Sequence, residues 1–228
     1  MSAFPDFSHQ RDIFNPSMFT WPIHVIGMGG IGSSLLLPLI NLSDSFEIHL
    51  WDDDKVEPHN LPAQLIYRPK DVGKTKVAAA EAFARRQGSN CKIITHEERV
   101  SGGSLLEGIV MAGVDSMKSR KSIWQASKNQ SALIPLFMDG RIGGEQWELI
   151  TLDPSHESDC RWYEENKLFD DSEAAQLPCA ARTVIHPPVT LAGHMVSHLT
   201  LYARNLEYKK CVTCHMRTSQ CQTLSRER

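Results

Sequence analysis

Glycines near the start of the chain have a spacing that suits the binding of phosphate groups. Gly27, Gly29 and Gly32 form a G-x-G-x-x-G pattern, and Gly30 adds a fourth small residue. The pattern follows a short β-type run and opens an apolar helical run, so backbone N–H groups and the positive helix end would face a bound phosphate. A tight turn without a ligand is the alternative interpretation. The pattern alone does not separate NAD from ATP.

An acidic residue extends this candidate nucleotide site. Asp52 lies 20 residues beyond Gly32, at the end of the next predicted strand. An acidic side chain at that place can accept hydrogen bonds from ribose hydroxyls. The sequence therefore predicts a nucleotide site between the glycine turn and the end of the second strand.

Three further segments narrow the choice of nucleotide. Residues 52–61 read DDDKVEPHNL and are followed by Gln64, residues 71–76 read DVGKTK, and residues 114–120 read VDSMKSR. This series resembles the ThiF/MoeB/ubiquitin-activating enzyme superfamily, whose patterns are D-x-D-x-V-x-x-x-N-L-x-R-Q, V-G-x-x-K and D-N-x-x-x-R in that order. The resemblance covers nearly the whole chain, from about residue 10 to about residue 205.

The resemblance implies an enzyme that uses ATP to adenylate the C-terminal carboxylate of a ubiquitin-like or ThiS/MoaD-like small protein, with release of pyrophosphate. Attack on an α-phosphate needs cations near the triphosphate and a carboxylate for Mg²⁺, which agrees with the residue types present. The nucleotide contacts implied, besides the glycine turn, are Asp52 on the ribose, Asn60, Gln64 and Lys76 on the phosphates, and Asp54 and Arg120 nearby.

The catalytic residues implied by the resemblance are Lys76 and Asp115, with Asp115 holding Mg²⁺ beside the reacting carboxylate. Each has a simpler interpretation when taken alone. Lys76 would be a solvated lysine on an Ala-rich helix, and Asp115 would be a helix N-cap.

One position departs from the family pattern. Ala63 replaces the arginine that precedes Gln64 in the family, so a phosphate contact is missing or comes from another residue such as Arg68. In the family, an arginine of the N-terminal segment reaches into the partner subunit's site, and Gln10-Arg11 resembles that segment. The resemblance implies a homodimer in which Arg11 acts in trans. Because of Ala63, a catalytically silent or NAD-binding Rossmann module that docks a partner is the alternative function.

The chain has six cysteines, too few and too unevenly spread for a disulfide scaffold. Cys179 lies where family members carry a cysteine that accepts the activated acyl group or takes part in sulfur transfer, and Arg182 would favour its thiolate. A small buried residue is the alternative, since free cysteine is often buried.

A zinc site is a further hypothesis for the remaining cysteines. Cys211 and Cys214 form a C-x-x-C pair, which can hold one edge of a tetrahedral site. Cys160, with His215 or Cys221, would supply the other ligands. The alternative is a disordered tail without metal.

The elements that would position these residues alternate between strand and helix. This alternation predicts an α/β fold, with a Rossmann-like, mostly parallel sheet covered by helices on both faces. The predicted strands are 23–26, 47–51, 92–95, 109–112, 136–139 and 148–152, and the predicted helices are 31–42, 71–87, 116–129 and 189–208. Residues 153–187 read as a long, mobile polar loop before the last helix.

These predictions divide the chain into an N-terminal arm (1–21), a ThiF-like adenylation domain (22–208) and a basic cysteine-containing tail (209–228). The net charge of −3 gives no clear signal for nucleic acid. The most apolar segment, 31–42, is too short and too interrupted to span a membrane. The first residues lack a secretory pattern, and we expect a cytoplasmic protein.

Overall fold

The structure, a computed structural model, describes residues 6–170 and 184–225. In those ranges eight strands form one sheet, in the order β3-β2-β1-β4-β5-β6-β7-β8. They are β1 (Ile23–Ile26), β2 (Glu47–Trp51), β3 (Lys92–His96), β4 (Ile109–Ala112), β5 (Leu136–Gly143), β6 (Gln146–Leu152), β7 (Cys211–His215) and β8 (Gln220–Leu224). Strands β1 to β5 pair in parallel and the last three pairings are antiparallel. The predicted Rossmann-like sheet is confirmed, with an antiparallel extension.

Five α-helices in the described ranges cover both faces of the sheet. They are α1 (Gly30–Leu42), α2 (Lys76–Arg86), α3 (Met117–Asn129), α4 (Glu157–Lys167) and α5 (His186–Ala203). In β4, Ile109 and Met111 pack in the core formed with α1, α2 and α5, whereas Val110 and Ala112 pack with α3 and α4. Because successive side chains of a strand point to opposite faces, a strand covered on both sides is apolar throughout, as β4 is.

The second helix begins later than predicted. Helix α2 starts at Lys76 rather than at Asp71, because residues 69–71 form a 3-10 turn and Gly73 has a φ of 90°. The buried carboxylate of Asp71 holds this turn by accepting hydrogen bonds from the Arg68 N–H (3.1 Å) and from Lys74 Nζ (3.0 Å). As a result, Lys76 lies in the first turn of α2, beside the cavity described below.

The segment predicted as a polar loop contains a helix. Helix α4 buries Cys160 and Tyr163 against the core, and its other positions are mostly charged or polar. The last helix, α5, begins at His186 rather than at 189 because Pro187 and Pro188 occupy its first turn, where proline is tolerated. Residues 171–183, which carry the predicted Cys179 and part of the predicted mobile loop, lie outside the described residues.

The tail predicted after residue 208 belongs to the sheet. Strand β7 pairs with β6, and β8 pairs with β7 at the edge of the sheet. All five residues of β8 are exposed, while β7 buries Cys211, Val212 and Cys214. The disordered-tail interpretation is therefore wrong for residues 211–224.

The N-terminal arm is anchored by aromatic residues. Phe14 and Phe19 are buried against Phe46, with ring centroids 5.4 to 5.8 Å apart. Arg11 precedes these anchors and is exposed. In the described ranges, no helix is long and apolar enough to cross a membrane.

Candidate active site

The glycine turn between β1 and α1 depends on two glycines. Gly27 has a φ of 86°, a conformation that residues with a side chain rarely adopt. A Cβ at Gly32 would lie 2.0 Å from the Gly27 carbonyl oxygen, so Gly32 allows the helix to pass close over the turn. At Gly29, the N-cap of α1, a Cβ would meet nothing within 4 Å. The first N–H groups of α1 lack helical partners and are therefore available to a ligand at the turn.

Asp52 connects the end of β2 to this turn. Its Oδ2 accepts a hydrogen bond from the Met28 N–H at 2.6 Å, and its Oδ1 accepts one from the Asp54 N–H at 2.8 Å. Burial raises the pKa of this carboxyl group, and the charge of Lys76 opposes the rise. Each carboxylate oxygen keeps a further lone pair for a ligand hydroxyl. The predicted ribose-binding residue is thus rigidly placed beside the glycine turn.

Three ion pairs place the cations on this side of the site. Lys76 Nζ lies 2.7 Å from Asp54 Oδ2 and 3.7 Å from Asp52 Oδ1, and its side chain is only 9% exposed. Arg99, which the sequence analysis did not select, donates from Nε to Asp53 at 2.8 Å. In the described ranges, one group of carboxylates has oxygen atoms close enough together to hold a metal ion: Asp52, Asp53 and Asp54. Each of the three carboxylates also has a basic side chain within 4 Å.

Asn60 and Gln64 lie on the helical turns after β2. Asn60 is buried, and its Oδ1 accepts a hydrogen bond from the Glu57 N–H at 2.8 Å, which leaves its amide protons for a ligand. The Oε1 atom of Gln64 is buried and has no hydrogen-bond partner among the described residues. A buried unpaired acceptor costs about 1–3 kcal/mol. A bound group that donates a hydrogen bond would remove this cost.

Asp115 is exposed on the loop after β4 and is not the cap of the next helix. Ser116 caps α3, with its Oγ accepting a hydrogen bond from the Ser119 N–H at 3.2 Å. The N-cap interpretation of Asp115 is therefore wrong, and its carboxylate is available to the cavity that it lines. Carboxylate oxygens are the ligands that Mg²⁺ prefers in proteins, so Asp115 fits the metal-binding role implied for it.

Arg120 supports this loop instead of offering a free cation. Its guanidinium group is buried and donates hydrogen bonds to Asp139, to the Val114 carbonyl and to the Gly140 carbonyl. Burial, followed by the charge of Arg141, lowers its pKa to about 10. Arg120 lines the cavity, and its hydrogen bond to the Val114 carbonyl also holds the cavity wall, so the expected nucleotide contact stays a prediction.

These side chains surround one cavity of about 550 Å³. This volume lies within the range of small-molecule sites in proteins, about 300–1,000 Å³. The predicted residues that line the cavity are Gly27, Gly29, Gly30, Asp52, Asp54, Asn60, Gln64, Lys76, Asp115 and Arg120. Ile26, Trp51 and Val100 add apolar walls, which suit the flat face of a nucleotide base. Gly32 lies just behind the turn.

Two buried residues that the sequence analysis did not select support the cavity. Tyr67 donates its hydroxyl proton to the Met28 carbonyl at 2.8 Å and lies 3.4 Å from the Lys76 carbonyl, so it joins the glycine turn to the start of α2. Trp51 donates from Nε1 to His24 Nδ1 at 3.0 Å. Burial lowers the pKa of His24 to about 3. A tyrosine in an apolar stretch gives no sequence signal for such a role.

The arginine missing at position 63 is not replaced by Arg68. Ala63 lines the cavity, but Arg68 Nη1 donates to the Leu65 and Tyr67 carbonyls at 3.2 and 3.0 Å. Arg68 is not among the residues that line the cavity. The basic side chains that do line it, within the described ranges, are His59, Lys76, Arg99 and Arg120.

The predicted zinc site is not assembled by the described residues. Cys211 and Cys214 lie in β7, where residues three apart point to opposite faces of the sheet, so they cannot act as one C-x-x-C ligand pair. They belong to different cores, Cys211 with α3 and α4 and Cys214 with α1 and α5. Cys160 instead donates from Sγ to the Pro154 carbonyl at 3.1 Å. The zinc hypothesis for these three cysteines is wrong.

Comparison with known proteins identifies the family. The ThiF family profile matches residues 15–220, so the chain belongs to the ThiF family. The NEDD8-activating enzyme E1 catalytic subunit of Dictyostelium discoideum is 33% identical over 123 residues, which are 52% of this chain and 28% of that protein. The sulfur carrier protein ThiS adenylyltransferase of Escherichia coli (strain K12) is 25% identical over 175 residues, 74% of this chain and 66% of that protein.

Solved structures show the same fold. The crystal structure of E. coli MccB with ATP has a TM-score of 0.69 and 15% identity, covering 92% of this chain and 64% of that one. The structure of PaaA has a TM-score of 0.66 and 16% identity, covering 90% and 64%. At such identities the likeness concerns the fold. The chain spans 28% of the length of the Dictyostelium relative and 66% of the length of the E. coli relative.

Proposed function

We propose that this chain is an adenylyltransferase that uses ATP to activate the C-terminal carboxylate of a ubiquitin-like or ThiS/MoaD-like small protein. The observation that carries the proposal is the meeting of four sequence segments in one cavity. The glycine turn, Asn60, Lys76 and Asp115 come from separate elements and line the same 550 Å³ space. Membership of the ThiF family supports the same function.

The reaction joins a carboxylate oxygen of the small protein to the α-phosphorus of ATP and breaks the bond to pyrophosphate, which leaves. In this proposal the N–H groups before α1 bind phosphate oxygens, and Asp52 orients the ribose. Lys76 moves its ammonium group from Asp54 toward the phosphate charge, which it can do because Asp54 is half exposed. Asp115 would hold Mg²⁺, which supplies positive charge to the reacting phosphate when bound.

The central test is ATP–pyrophosphate exchange with purified candidate small proteins that end in a free glycine. We expect exchange only when both ATP and the correct small protein are present. Asp115→Ala should reduce exchange about 10²–10³-fold, the usual cost of removing one stabiliser of transition-state charge. Its melting temperature should stay unchanged, since Asp115 is exposed and Ser116 caps α3.

The matched control for Asp115→Ala is Asp44→Ala, since Asp44 does not line the cavity. This variant should exchange like the wild type. Tight NAD binding, with no exchange across the candidate proteins, would instead establish the alternative of a silent or NAD-binding module that docks a partner. Ala63, which leaves one family phosphate contact empty, is the observation that favours this alternative.

We further propose that the active form is a homodimer in which Arg11 acts on the partner's site. Arg11 is exposed and is not among the residues that line its own chain's cavity. Mixing an Arg11→Ala chain with an Asp115→Ala chain should restore part of the exchange activity, because some heterodimers then hold one complete site. Lack of recovery in a mixture shown to exchange subunits would exclude the trans role.

The proposal also assigns Cys179 a step after adenylation. Its thiolate would attack the activated acyl carbon, release AMP and form a thioester. Cys179→Ser should keep pyrophosphate exchange and lose the covalent adduct that thiol reagents cleave, as seen by intact-protein mass spectrometry. Full activity of that variant in the step that follows adenylation would show that Cys179 takes no part in the reaction.

A further inference from the structure

Two cysteines face each other across the terminal hairpin of the sheet. Cys214 in β7 and Cys221 in β8 are directly paired in the antiparallel register. Their Sγ atoms are 2.6 Å apart. The side chains of paired residues on neighbouring antiparallel strands lie on the same face, so this closeness follows from the backbone pairing. No other pair of described cysteines has a sulfur–sulfur contact.

The two thiols differ in their surroundings. Cys214 is 7% exposed and packs in the core that contains Trp147, its partner residue in β6. Burial, together with the neighbouring Cys221, raises the pKa of the Cys214 thiol to about 11. Cys221 is exposed on the outermost strand. A dissolved oxidant therefore meets Cys221 first, with Cys214 in contact behind it.

We propose that Cys214 and Cys221 form a reversible modification site, a dithiol that a peroxide converts to an intrachain disulfide. The Cys221 thiolate attacks one oxygen of hydrogen peroxide and becomes a sulfenic acid. The O–O bond breaks, and the other oxygen leaves as hydroxide, which takes up a proton to form water. The Cys214 sulfur then attacks the Cys221 sulfur to form the disulfide bond, and the oxygen of the sulfenic acid leaves as water. The two thiols lose two electrons and two protons in total, and hydrogen peroxide becomes two water molecules. A cellular dithiol reverses the change by thiol–disulfide exchange.

Proximity makes the second step efficient despite the raised pKa of Cys214. An attacking group held in contact with its target reacts as though it were present at a very high concentration. The remaining described cysteines lack such a neighbour. Cys91 and Cys160, for example, donate from Sγ to the carbonyls of Ser43 and Pro154. The chemistry is thus specific to the hairpin.

The disulfide would fasten the most exposed strand of the sheet. Strand β8 is joined only to β7, and all of its residues are exposed. A covalent link between the two strands removes the conformations in which β8 separates from β7. The oxidised chain therefore keeps a fixed sheet edge, whereas the reduced chain holds that edge by backbone hydrogen bonds and side-chain contacts.

Peptide mapping tests the proposal, because trypsin cuts after Lys210, Arg217 and Arg226 and places the two cysteines on different peptides. The full chain is reduced, treated with hydrogen peroxide, alkylated and digested. We expect peptides 211–217 and 218–226 to be joined in the oxidised sample as the main form, and to separate on reduction. Peptides that stay separate, with Cys214 and Cys221 alkylated, in a sample where an added reference dithiol is oxidised, would overturn the proposal.

Two variants assign the link to one cysteine of peptide 211–217. Cys211→Ser is the matched control, since Cys211 points to the opposite face, and it should keep the link. Cys214→Ala should lose it. If Cys214→Ala does not fold, Cys221→Ser at the exposed position gives the same loss. A link that persists without Cys214 or Cys221, or one that joins Cys221 to another cysteine, would also overturn the proposal.

The melting temperature provides a second readout. The oxidised wild type should melt at a higher temperature than the reduced wild type, and this difference should vanish in Cys221→Ser. An equal difference in the variant would show that oxidation acts elsewhere. The measurements do not involve ATP, so their outcome is independent of the proposed adenylyltransferase activity.

Discussion

Two regions of the sheet are built in opposite ways. One is the end that carries the glycine turn and Asp52, here called the nucleotide end after the proposed function, and the other is the terminal hairpin of β7 and β8. At the nucleotide end, buried polar groups connect consecutive elements, as Asp52 and Tyr67 connect both sides of the glycine turn. In the hairpin, β8 is exposed throughout and depends on its pairing with β7. In the first region, positions such as Gly32 have no room for a larger side chain. In the second, the proposed disulfide would link strands at the exposed edge of the sheet.

This difference shows how one sheet can hold a precise site and an adaptable edge. Rigidity at the nucleotide end results from backbone N–H and carbonyl groups that have fixed partners. The edge strand has solvent on one side and few buried contacts, which is typical of regions with low local stability. Substitutions at the two ends should therefore differ strongly in their effects.

The largest effect is expected at Gly32. A methyl group in Gly32→Ala would overlap the Gly27 carbonyl, at 2.0 Å, and should unfold the chain or cost at least about 3 kcal/mol, the upper range for overpacking. The matched control is Gly193→Ala in α5, where a Cβ meets nothing within 4 Å. That variant should be as stable as the wild type or about 0.5–1 kcal/mol more stable. Urea unfolding monitored by circular dichroism measures both, and equal stabilities would contradict the close-approach explanation.

The next effect is a loss of stability in acid. Because the pKa of His24 falls from 6.5 to about 3 in the folded chain, the unfolded chain binds more protons below pH 6.5. Stability is complete above that pH and should fall by about 1.4 kcal/mol per pH unit as the pH drops from 6.5 toward 3. His198, with a pKa of about 4, adds to the same loss.

The His24→Gln variant isolates this contribution. Glutamine can accept a hydrogen bond and donate one, but it does not titrate. The slope of unfolding free energy against pH is measured between pH 6.5 and pH 4. It should be smaller than in the wild type by about 1.4 kcal/mol per pH unit, which corresponds to one proton. An unchanged slope would mean that His24 does not provide the acid sensitivity.

A smaller gain is expected from restoring the missing arginine. Ala63→Arg places a guanidinium group at the cavity wall, and should tighten ATP binding about tenfold, equivalent to about 1.4 kcal/mol. Isothermal titration calorimetry with ATP and Mg²⁺ measures the change. Arg68→Ala is the control and should bind ATP like the wild type, since that guanidinium group holds backbone carbonyls. Weaker binding by Ala63→Arg would show that the wall has no room for the larger side chain.

The smallest effect belongs to the hairpin. Under reducing conditions, Cys221→Ser should change the unfolding free energy by less than about 0.5 kcal/mol, as is usual for exposed positions. Thermal unfolding in the presence of a reductant tests this. A large loss of stability would remove the contrast between the two regions.

Predictions from sequence succeeded where the signal is local. The glycine turn and strands β1, β2 and β4 lie where the pattern of small and apolar residues places them. Asp52 could be located because a fixed spacing connects it to the turn. Such features depend on a few neighbouring residues and on the direction of a parallel strand.

Predictions failed where distant contacts decide the structure. Cys211 and Cys214 have the spacing of a metal-ligand pair, but pairing with β6 extends the backbone and turns the two thiols apart. Helix α4 was missed because its charged positions outnumber the buried Cys160 and Tyr163. Arg120 carries a family motif, yet the ion pair with Asp139 that defines its position involves a residue on β5.

The hydroxyl group of Tyr67 has a consequence for how the site responds to a ligand. Since it contacts both the Met28 carbonyl and the Lys76 carbonyl at the beginning of α2, it couples the opening of the helix to that of the turn. A local fluctuation that frees the amide hydrogens at the start of α2 must also break the contact with the turn. We therefore expect a ligand bound at the turn to slow amide hydrogen exchange in α2, although Lys76 is the residue of that helix that lines the cavity.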